Sequence, residues 1–452
     1  MKKLLLALFA MALLAAFTTP VDAAKKMKKP AMKKAKKKAP AGVSLKLKGF
    51  YRVRAFSANN LDQDEDNNDS TQGIDSLIRP NFLTTVGKGH IKARWEIDWW
   101  EASGTVADDK GAKSNRVANA NAVWGQNGGG RVGVGTNRWH IDFAIPGSAL
   151  RMRMGREDYT SPDREIFDSA GSNRKPGIGL YGKLSKNMSL SMFMVRAGTH
   201  IPDKTKNLVG GEDENKDSYF AALGIKVSPT VTLTPWVAMH RDGKGKSLTY
   251  AALHAKTKVG IFGLNASGVS VGGDAGPGVD ASGWAFLLRS SASLGKMKLL
   301  ANLTMFSGDD SDATEEGNFS KLMPNAGDIQ GGILTTGRGN IMTVDANERV
   351  YGQKTRDGRY GQVNGVFAAD VGVTYQVSKT LNLGAGIYVV QSAEADDEGD
   401  EDFGTELDVG MIWNIYPKLQ LRAGFAYLAA GDYGANDKDD SWYTAVSLRH
   451  IF

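Results

Sequence analysis

The chain lacks several features that proteins of its size commonly use. It has 452 residues but no cysteine, and its 13 prolines are few beside its 54 glycines. The absence of cysteine excludes a disulfide scaffold, a Cys-ligated zinc or iron–sulfur site and a thiol nucleophile. Beyond position 17 no run approaches the roughly 20 apolar residues that a membrane-spanning helix needs. These absences leave a narrow range of chemistry.

The excess of positive charge is confined to the N-terminus. The whole chain has 56 Lys and Arg against 49 Asp and Glu, a formal charge of +7. Lys2, Lys3 and nine lysines between positions 25 and 38 supply 11 of those bases, and Asp22 is the one acid before position 39. Removing both sets leaves 45 bases and 48 acids, a net charge of −3. The overall charge therefore does not predict a nucleic-acid-binding protein.

The first 41 residues predict an exported protein. An apolar run (Leu4–Phe17) follows two lysines, and Val21-Asp22-Ala23 provides small residues for cleavage after Ala23. We therefore expect residues 1–23 to be a signal peptide. Residues 24–41 are rich in lysine and poor in apolar side chains, which predicts a disordered periplasmic arm. Such an arm either binds an anionic cell-wall polymer or lipid headgroups, or is a solvated spacer.

From position 43 onward, apolar and polar residues alternate. In Ile91–Trp99 every odd position is apolar and every even position is charged, so the two sets lie on opposite faces of a strand. The pattern predicts an all-β chain with eighteen strands. They are expected near 43–57, 76–86, 90–101, 131–145, 149–156, 177–184, 188–197, 219–227, 231–240, 248–256, 259–271, 284–294, 297–307, 364–377, 381–392, 404–415, 418–430 and 441–452.

Short and long connections alternate between these strands. The short ones have turn composition, as in Gly87-Lys88-Gly89, Pro146-Gly147-Ser148 and Thr257-Lys258. A soluble sandwich has no reason to place every long connection at one end. An outer-membrane β-barrel has short periplasmic turns and long extracellular loops. We therefore predict a transmembrane antiparallel β-barrel over 42–452, whose longest connection, 308–363, folds inward to constrict the pore.

Aromatic residues lie on the apolar side of the alternation, many of them near strand ends. This arrangement is typical of the interfacial girdles of membrane barrels. The mean hydropathy of −0.31 agrees with it, because only one face of each strand has to be apolar. The aromatic residues are Trp95, Trp99, Trp139, Phe143, Trp284, Phe286, Trp413, Phe425, Tyr427 and Trp442.

The last strands carry a family resemblance. The segment GTELDVGMIWNIYPKLQLRAGFAYLAAGDYG and the final residues Ser441–Phe452 resemble the closing strands of Gram-negative outer-membrane porins. The pattern is nearest to the alginate-export-like porin group. In that family an aromatic C-terminal residue is the signal for the barrel assembly machinery, and the resemblance assigns this role to Phe452. His450 departs from the family, which has an aromatic or aliphatic residue there.

Motifs that suggest catalysis lack the structural context they need. Gly268–Gly272 matches the G-x-S-x-G nucleophile elbow with Ser270 at its centre, but no helical pattern follows it. Gly128–Gly133 matches G-x-G-x-x-G but leads into a strand, and the six histidines are too scattered for a zinc site. We therefore predict no enzymatic activity, no cofactor and no metal.

Many bases lie on the polar faces of the strands, most of them in the first five. Glu96, Asp98 and Asp142 share these faces, which allows ion pairs inside the barrel. We expect a positive wall that favours anions. His140 and Asp142 share a face of one strand by alternation alone, so we interpret them as polar lumen residues. The candidate pore-lining residues are Lys46, Lys48, Arg52, Arg94, Arg138, Arg151, Arg153, Arg289 and Arg422.

The predicted function is passive diffusion of small hydrophilic solutes, with a preference for anions, through a water-filled outer-membrane porin. Three alternatives stay open: a dedicated channel for an anionic polymer, an outer-membrane hydrolase, and a barrel that sheathes an electron-transfer partner. The expected surroundings are outer-membrane lipid, lipopolysaccharide and the barrel assembly machinery. A cell-wall polymer at the lysine-rich arm and a homotrimer are further expectations, the trimer by analogy with porins. No nucleic-acid partner is expected.

Overall fold

The computed structural model describes residues 42–59, 70–107, 131–163, 166, 176–197, 216–242, 245–309, 314–317, 319–322, 365–394, 402–432 and 440–452. The predicted signal peptide (1–23) and lysine-rich arm (24–41) lie outside these residues, as does most of the 308–363 connection.

The described residues form one closed antiparallel wall of eighteen strands. Successive wall strands pair in chain order, and β1 also pairs with β19, which closes the barrel. This confirms the predicted architecture. The bounds are β1 (Ser44–Asn59), β2 (Ser70–Val86), β3 (Ile91–Ala107), β4 (Arg131–Ala144), β5 (Leu150–Arg156), β6 (Pro176–Lys183), β7 (Met188–Ala197), β8 (Lys216–Lys226), β9 (Val231–Arg241), β10 (Ser247–Val259), β11 (Phe262–Gly276), β12 (Val279–Leu294), β13 (Met297–Phe306), β15 (Val366–Gln376), β16 (Leu381–Gln391), β17 (Asp402–Tyr416), β18 (Leu419–Ala430) and β19 (Ser441–Ile451).

Two short elements follow β13 and do not belong to the wall. The two-residue strand β14 (Glu315–Glu316) pairs in parallel with β12. A single helical turn, α1 (Phe319–Leu322), comes next. No helix in the described parts of the chain is long and apolar enough to cross a membrane.

The turn between β10 and β11 lies further along the chain than predicted. Thr257-Lys258 remains in β10, and the two strands stay paired as far as Val259 and Phe262. The chain reverses at Gly260, whose φ of 58° is left-handed and suits a residue without a Cβ atom. The prediction of a turn at Thr257-Lys258 is therefore wrong.

At the opposite end of the barrel, four strands, β2, β3, β11 and β12, extend five or six residues further than predicted, and β11 and β12 pair as far as Gly276 and Val279. β2 begins at Ser70 and β3 ends at Ala107, and these two residues pair with each other. The added pairing uses backbone hydrogen bonds, which do not require apolar side chains. The hydrophobic alternation therefore did not mark this extension.

The two faces of the wall differ sharply in chemistry. Large apolar side chains are exposed on the outer face, among them Val371 at 59% and Trp95 at 51%. On the inner face Asp142 and Glu406 are almost fully buried. Exposed apolar and buried charged side chains invert the pattern of a soluble protein and are typical of a membrane barrel. The predicted outer-face residues Trp99, Trp139, Trp284, Trp413, Phe425 and Tyr427 are also exposed.

Part of the inner face is apolar, chiefly on β7 to β13. Trp236 and Tyr250 are buried there, beneath side chains from two connecting segments. Phe319 and Leu322 of α1 are fully buried, and the Phe319 ring centroid lies 5.3 Å from that of Phe306. The Tyr250 hydroxyl donates a hydrogen bond to the Leu322 carbonyl. The described beginning of the 308–363 connection therefore packs against the inner wall.

Candidate functional site on the inner wall

Two arginines of β1 share one carboxylate of β2. Arg52 Nη2 donates to Asp75 Oδ1 over 2.9 Å, and Arg54 Nε donates to Asp75 Oδ2 over 2.7 Å. Arg54 stands directly opposite Asp75 in the register, and Arg52 lies two residues away on the same face. All three side chains are buried. This group, the Asp75 site, carries one more positive than negative charge.

The ion pairs continue across β2, β3 and β4. Arg79 donates from Nε and Nη2 to the two oxygens of Asp98, over 2.5 and 2.7 Å. This bidentate geometry is the strong form of an arginine–carboxylate contact. Glu96 accepts from Arg94 Nη2 over 2.6 Å and from Asn137 Nδ2 over 2.9 Å. A β-bulge in β4 adds one extra residue, Asn137, opposite this part of β3, and its side chain reaches the Glu96 carboxylate.

A second shared carboxylate lies near the end of β4. Asp142 accepts from Arg151 Nε over 2.5 Å and from Arg153 Nη2 over 3.0 Å, and also from the Tyr181 hydroxyl. The Arg153 guanidinium lies 5.0 Å from the Tyr181 ring centroid. The carboxylate is 2% exposed, whereas the Arg151 and Arg153 side chains are 22% and 30% exposed. This group, the Asp142 site, presents two accessible cations around one buried anion.

The chain that leaves β5 enters the charged network. His140 Nδ1 lies 2.5 Å from Glu157 Oε2, and Arg138 Nη2 lies 2.6 Å from Asp158 Oδ2. Burial alone raises the pKa of Glu157. The hydrogen bonds from His140 and from the Asp158 backbone N–H, with the charge of Arg138, outweigh burial and lower that pKa to about 2. Glu157 is therefore ionised at neutral pH.

The same segment continues along the inner wall. The Tyr159 hydroxyl donates to the carbonyls of Gly155 and Gly177 over 3.1 and 3.0 Å. Burial raises the pKa of Tyr159 well above its ordinary value, so the phenol stays protonated and able to donate. Asp163 Oδ1 accepts from Ser161 Oγ over 2.6 Å and from the Ile166 backbone N–H over 3.1 Å. These contacts hold the segment inside the barrel.

The network is close to charge balance. The Asp75 and Asp142 sites each have two arginines for one carboxylate, and the rest of the network pairs its charges more evenly. Within this network, the excess of arginine over carboxylate lies at the Asp75 and Asp142 sites. The arginines are Arg52, Arg54, Arg79, Arg94, Arg138, Arg151 and Arg153, and the carboxylates are Asp75, Glu96, Asp98, Asp142, Glu157 and Asp158.

The other predicted residues lie apart from this network. Lys46 and Lys48 are exposed near the start of β1, at the end of the barrel with the short turns. Arg289 on β12 donates to the carbonyls of Leu288 and Leu303, each over 3.1 Å. Arg422 on β18 donates to the Gln420 side chain over 2.8 Å. Five of the nine candidates thus come together: Arg52, Arg94, Arg138, Arg151 and Arg153.

Phe452 lies where the barrel closes. Its backbone N–H donates to the Gly49 carbonyl over 3.0 Å, and the Gly49 N–H donates to the Phe452 carbonyl over 3.2 Å. A Cβ atom added to Gly49 would fall 2.8 Å from the Phe452 ring, so this ring covers the glycine. Phe452 therefore pairs with Gly49 of β1.

Sequence reasoning missed several members of the network. The candidate list does not include Arg79, Asn137 or Tyr181, although Arg79 shares the strand face of Asp75 by alternation. Glu157 follows the strand predicted over 149–156, and nothing in the local sequence shows that the chain turns inward there. Asn137 is the one extra residue of the bulge in β4, and alternation does not reveal that this bulge places it beside Glu96.

Acidic groups lie on a different sector of the inner wall. Glu406 and Asp408 on β17 are almost fully buried, and Tyr388 of the neighbouring strand stands opposite Glu406. Asp370 on β15 accepts from Asn302 Nδ2 over 2.6 Å. Among the described residues, no group of three His, Asp or Glu side chains is arranged to hold a metal ion.

The geometry around Ser270 differs from that of a nucleophile elbow. Ser270 lies within β11 on the outer face, and its hydroxyl donates to the Ala251 carbonyl over 3.4 Å. On the inner face His254 Nδ1 lies 2.8 Å from Ser267 Oγ, and that hydroxyl lies 3.5 Å from Asp163. In a catalytic triad the carboxylate contacts the histidine, whereas here it contacts the serine.

Comparison with known proteins identifies the type of fold. No protein-family model matches the chain, and no curated protein matches it in sequence. Crystal structures of Pseudomonas aeruginosa proteins do match, one of them described as an outer membrane protein. OccK9 (OpdG) gives a TM-score of 0.55 at 13% identity, with 90% of this chain and 98% of that one covered. OccK5 (OpdH) and OpdK each give 0.52 at 12% identity, with 90% of this chain covered and 98% and 99% of theirs. The fold is that of an outer-membrane porin.

This fold and the apolar outer face together give the location. An eighteen-strand closed barrel with exposed apolar side chains requires a lipid bilayer around it. The chain is a β-barrel of the Gram-negative outer membrane, in contact with outer-membrane lipid and lipopolysaccharide. In this architecture the short turns face the periplasm and the long connections face outward.

Proposed function

We propose that the chain is a channel for the passive diffusion of small hydrophilic solutes and that it prefers anions. A barrel of this strand number is wide enough to enclose an aqueous passage. The charged network supplies polar groups along it, and the structural neighbours are outer-membrane channels rather than enzymes. Two serine–histidine contacts lie on the described inner wall, Ser218–His240 over 2.9 Å and Ser267–His254 over 2.8 Å. At the second, the carboxylate of Asp163 contacts the serine and not the histidine, which favours transport over hydrolysis.

The Asp142 site is the observation that carries the anion preference. Arg151 and Arg153 share one carboxylate and keep part of their guanidinium surface exposed. A passing carboxylate or phosphate can accept hydrogen bonds from the N–H groups of Arg151 and Arg153 that do not bond to Asp142. Because one buried anion already offsets part of the charge, attraction stays moderate and a bound solute can leave, as conduction requires.

Reversal potentials in planar bilayers under a salt gradient test this proposal. We expect ohmic single-channel currents with anion preference. Arg151→Glu together with Arg153→Glu should shift the preference toward cations, whereas Arg151→Lys together with Arg153→Lys should retain it because the charge is kept. A barrel without measurable conductance would overturn the channel proposal. If the original chain and both variants show the same cation preference, the proposed anion preference is wrong and the channel proposal stands.

Further parts of the proposal concern assembly and subgroup. We propose that the inward segments after β5 and β13 narrow the passage, because both pack on the inner wall. We also propose recognition of Phe452 by the barrel assembly machinery, association into trimers, and membership of the alginate-export-like group on the pattern of Thr380–Phe452. Mobility of the folded protein on unheated gels, with and without cross-linking, tests the trimer.

A further inference from the structure

The periplasmic end of the barrel carries a ring of exposed lysines that the channel proposal does not use. The ring extends from β1 to the turn after β17, so it encircles most of the mouth. None of these lysines forms an ion pair within the described part of the chain. We call this set the lysine rim: Lys46, Lys48, Lys92, Lys183, Lys186, Lys226, Lys256, Lys258, Lys296, Lys298, Lys379 and Lys418.

Acidic side chains are almost absent from the same end. Asp142 is the one carboxylate side chain in the described strand ends and turns here, and Arg151 and Arg153 hold it. A like-charged ring without counter-charges repels itself and favours a bound polyanion. The ranges without Asp or Glu are 42–50, 81–95, 180–191, 222–235, 252–266, 288–301, 371–385, 411–424 and 445–452.

The lysines face the periplasm and the mouth of the barrel, not the lipid. The eight lysines within strands occupy inner-face positions. On β1, for example, Lys48 alternates with Leu45 and Leu47, which lie on the outer face and are 67% and 55% exposed. The remaining four, such as Lys186 and Lys379, lie in the turns themselves. Lysines that bind lipid headgroups would instead project from the outer face at the membrane boundary.

The extent of the lysine rim points to an extended partner. Its twelve lysines are distributed from β1 to the turn after β17 and so surround most of the mouth. That distribution suits a polymer with repeated negative charges better than a single small anion.

We propose that the lysine rim is a docking surface for the carboxylate-bearing polymer of the cell wall, which lies beneath the outer membrane. The interaction is electrostatic, between lysine ammonium groups and carboxylates spaced along the polymer. Contact through the four turn lysines, which lie outside the lumen, fixes the barrel over the cell wall without closing the passage. The proposal depends on the orientation of the barrel and does not depend on its conductance.

Co-sedimentation of the detergent-purified full chain with isolated, protein-free cell-wall sacculi tests the proposal. The informative variant combines Lys186→Gln, Lys379→Gln and Lys418→Gln, and the matched control replaces the same three residues by arginine. We expect the glutamine variant to bind on the order of tenfold more weakly and the arginine variant to bind like the original chain. Binding of the original chain should vanish in 1 M salt, where the Debye length is about 3 Å.

Two outcomes would overturn the proposal. One is equal sedimentation of the glutamine and arginine variants. The other combines two results. Sacculus binding is unchanged by the variants, while the thermal stability of the barrel in nanodiscs depends on anionic lipid and on these lysines. That combination would identify lipid headgroups as the partner. Heat-modifiable gel mobility confirms that each variant forms a barrel. Unchanged single-channel conductance of the glutamine variant separates this surface from the channel.

Discussion

His140 Nδ1 and Glu157 Oε2 lie 2.5 Å apart, and this contact joins wall strand β4 to the chain that leaves β5. Arg138 Nε lies 3.6 Å from the same carboxylate, on Oε1. All three side chains are at least four-fifths buried, so water screens the interactions among them weakly. The contact fixes the start of the inward segment against the charged part of the wall.

Glu157→Gln should destabilise the barrel by about 1–3 kcal/mol at neutral pH, because buried donors lose a charged acceptor. The carboxylate has a lowered pKa in the folded protein, so its stabilisation is complete above its ordinary pKa of 4.5 and is lost as pH falls toward about 2. Thermal unfolding followed by circular dichroism should therefore show a smaller loss of stability from pH 5 to pH 2 in the variant. The exposed Glu394→Gln is the control. Parallel pH profiles for all three proteins would contradict this account.

Asp142→Asn should strengthen anion preference and weaken the barrel. The substitution leaves Arg151 and Arg153 without their shared anion, which raises the local positive charge by one. Because the Asp142 side chain is 2% exposed, we expect a cost of about 3–5 kcal/mol. Reversal potentials and thermal unfolding measure the two effects. Asp217→Asn is the control, since Asp217 pairs with the exposed Arg196 at the other end of the barrel. An unchanged or reduced anion preference in Asp142→Asn would be inconsistent with the Asp142 site.

Phe319→Ala should loosen the segment after β13 from the inner wall. The ring is fully buried beside Phe306, and its loss leaves a cavity that costs about 3–5 kcal/mol of local packing. We expect higher conductance or more frequent current fluctuations in planar bilayers. Trp284→Ala removes a large aromatic side chain from the outer face, where Trp284 is 48% exposed, and should leave conductance unchanged. Equal effects of both variants would argue against a packed inward segment.

Adjacent single cysteines should report opposite sides of the wall. The chain has no native cysteine, so thiol labelling needs no background substitution. In proteoliposomes, Asp370→Cys should react with a charged, water-soluble thiol reagent because it faces inward. Val371→Cys should resist the reagent until detergent removes the lipid, because Val371 is 59% exposed on the outer face. The reverse order of reactivity would invert the assignment of the two faces.

Alternation was sufficient to predict the wall but not its inner covering. In Ile91–Trp99 one apolar face requires a lipid or protein partner, and the structure places this face outward. Met192-Phe193-Met194-Val195 is apolar on both faces, so sequence alone does not show which side another segment covers. In the structure Phe193 packs beside Tyr159 from the inward chain, with ring centroids 5.4 Å apart.

Charge pairing was harder to predict than strand location. The bases of the first five strands could be assigned to the inner face from alternation alone. Their partners depend on register: Arg79 reaches Asp98 on the next strand, and Arg138 reaches Asp158 beyond the end of β5. Local sequence does not contain these relationships, because the first depends on the exact register of β2 against β3 and the second on the inward course of the chain after β5.

The pairing of β1 with β19 has a kinetic consequence. Phe50 faces Ile451, so the contact joins residues 401 positions apart (451 minus 50). Pairings of such high contact order form slowly, since a very long stretch of chain must be ordered first. Until the last strand arrives, β1 and the growing sheet each present an unpaired edge, which invites pairing with other chains. Successful biogenesis therefore depends on shielding β1 for the whole time that the other seventeen strands take to assemble.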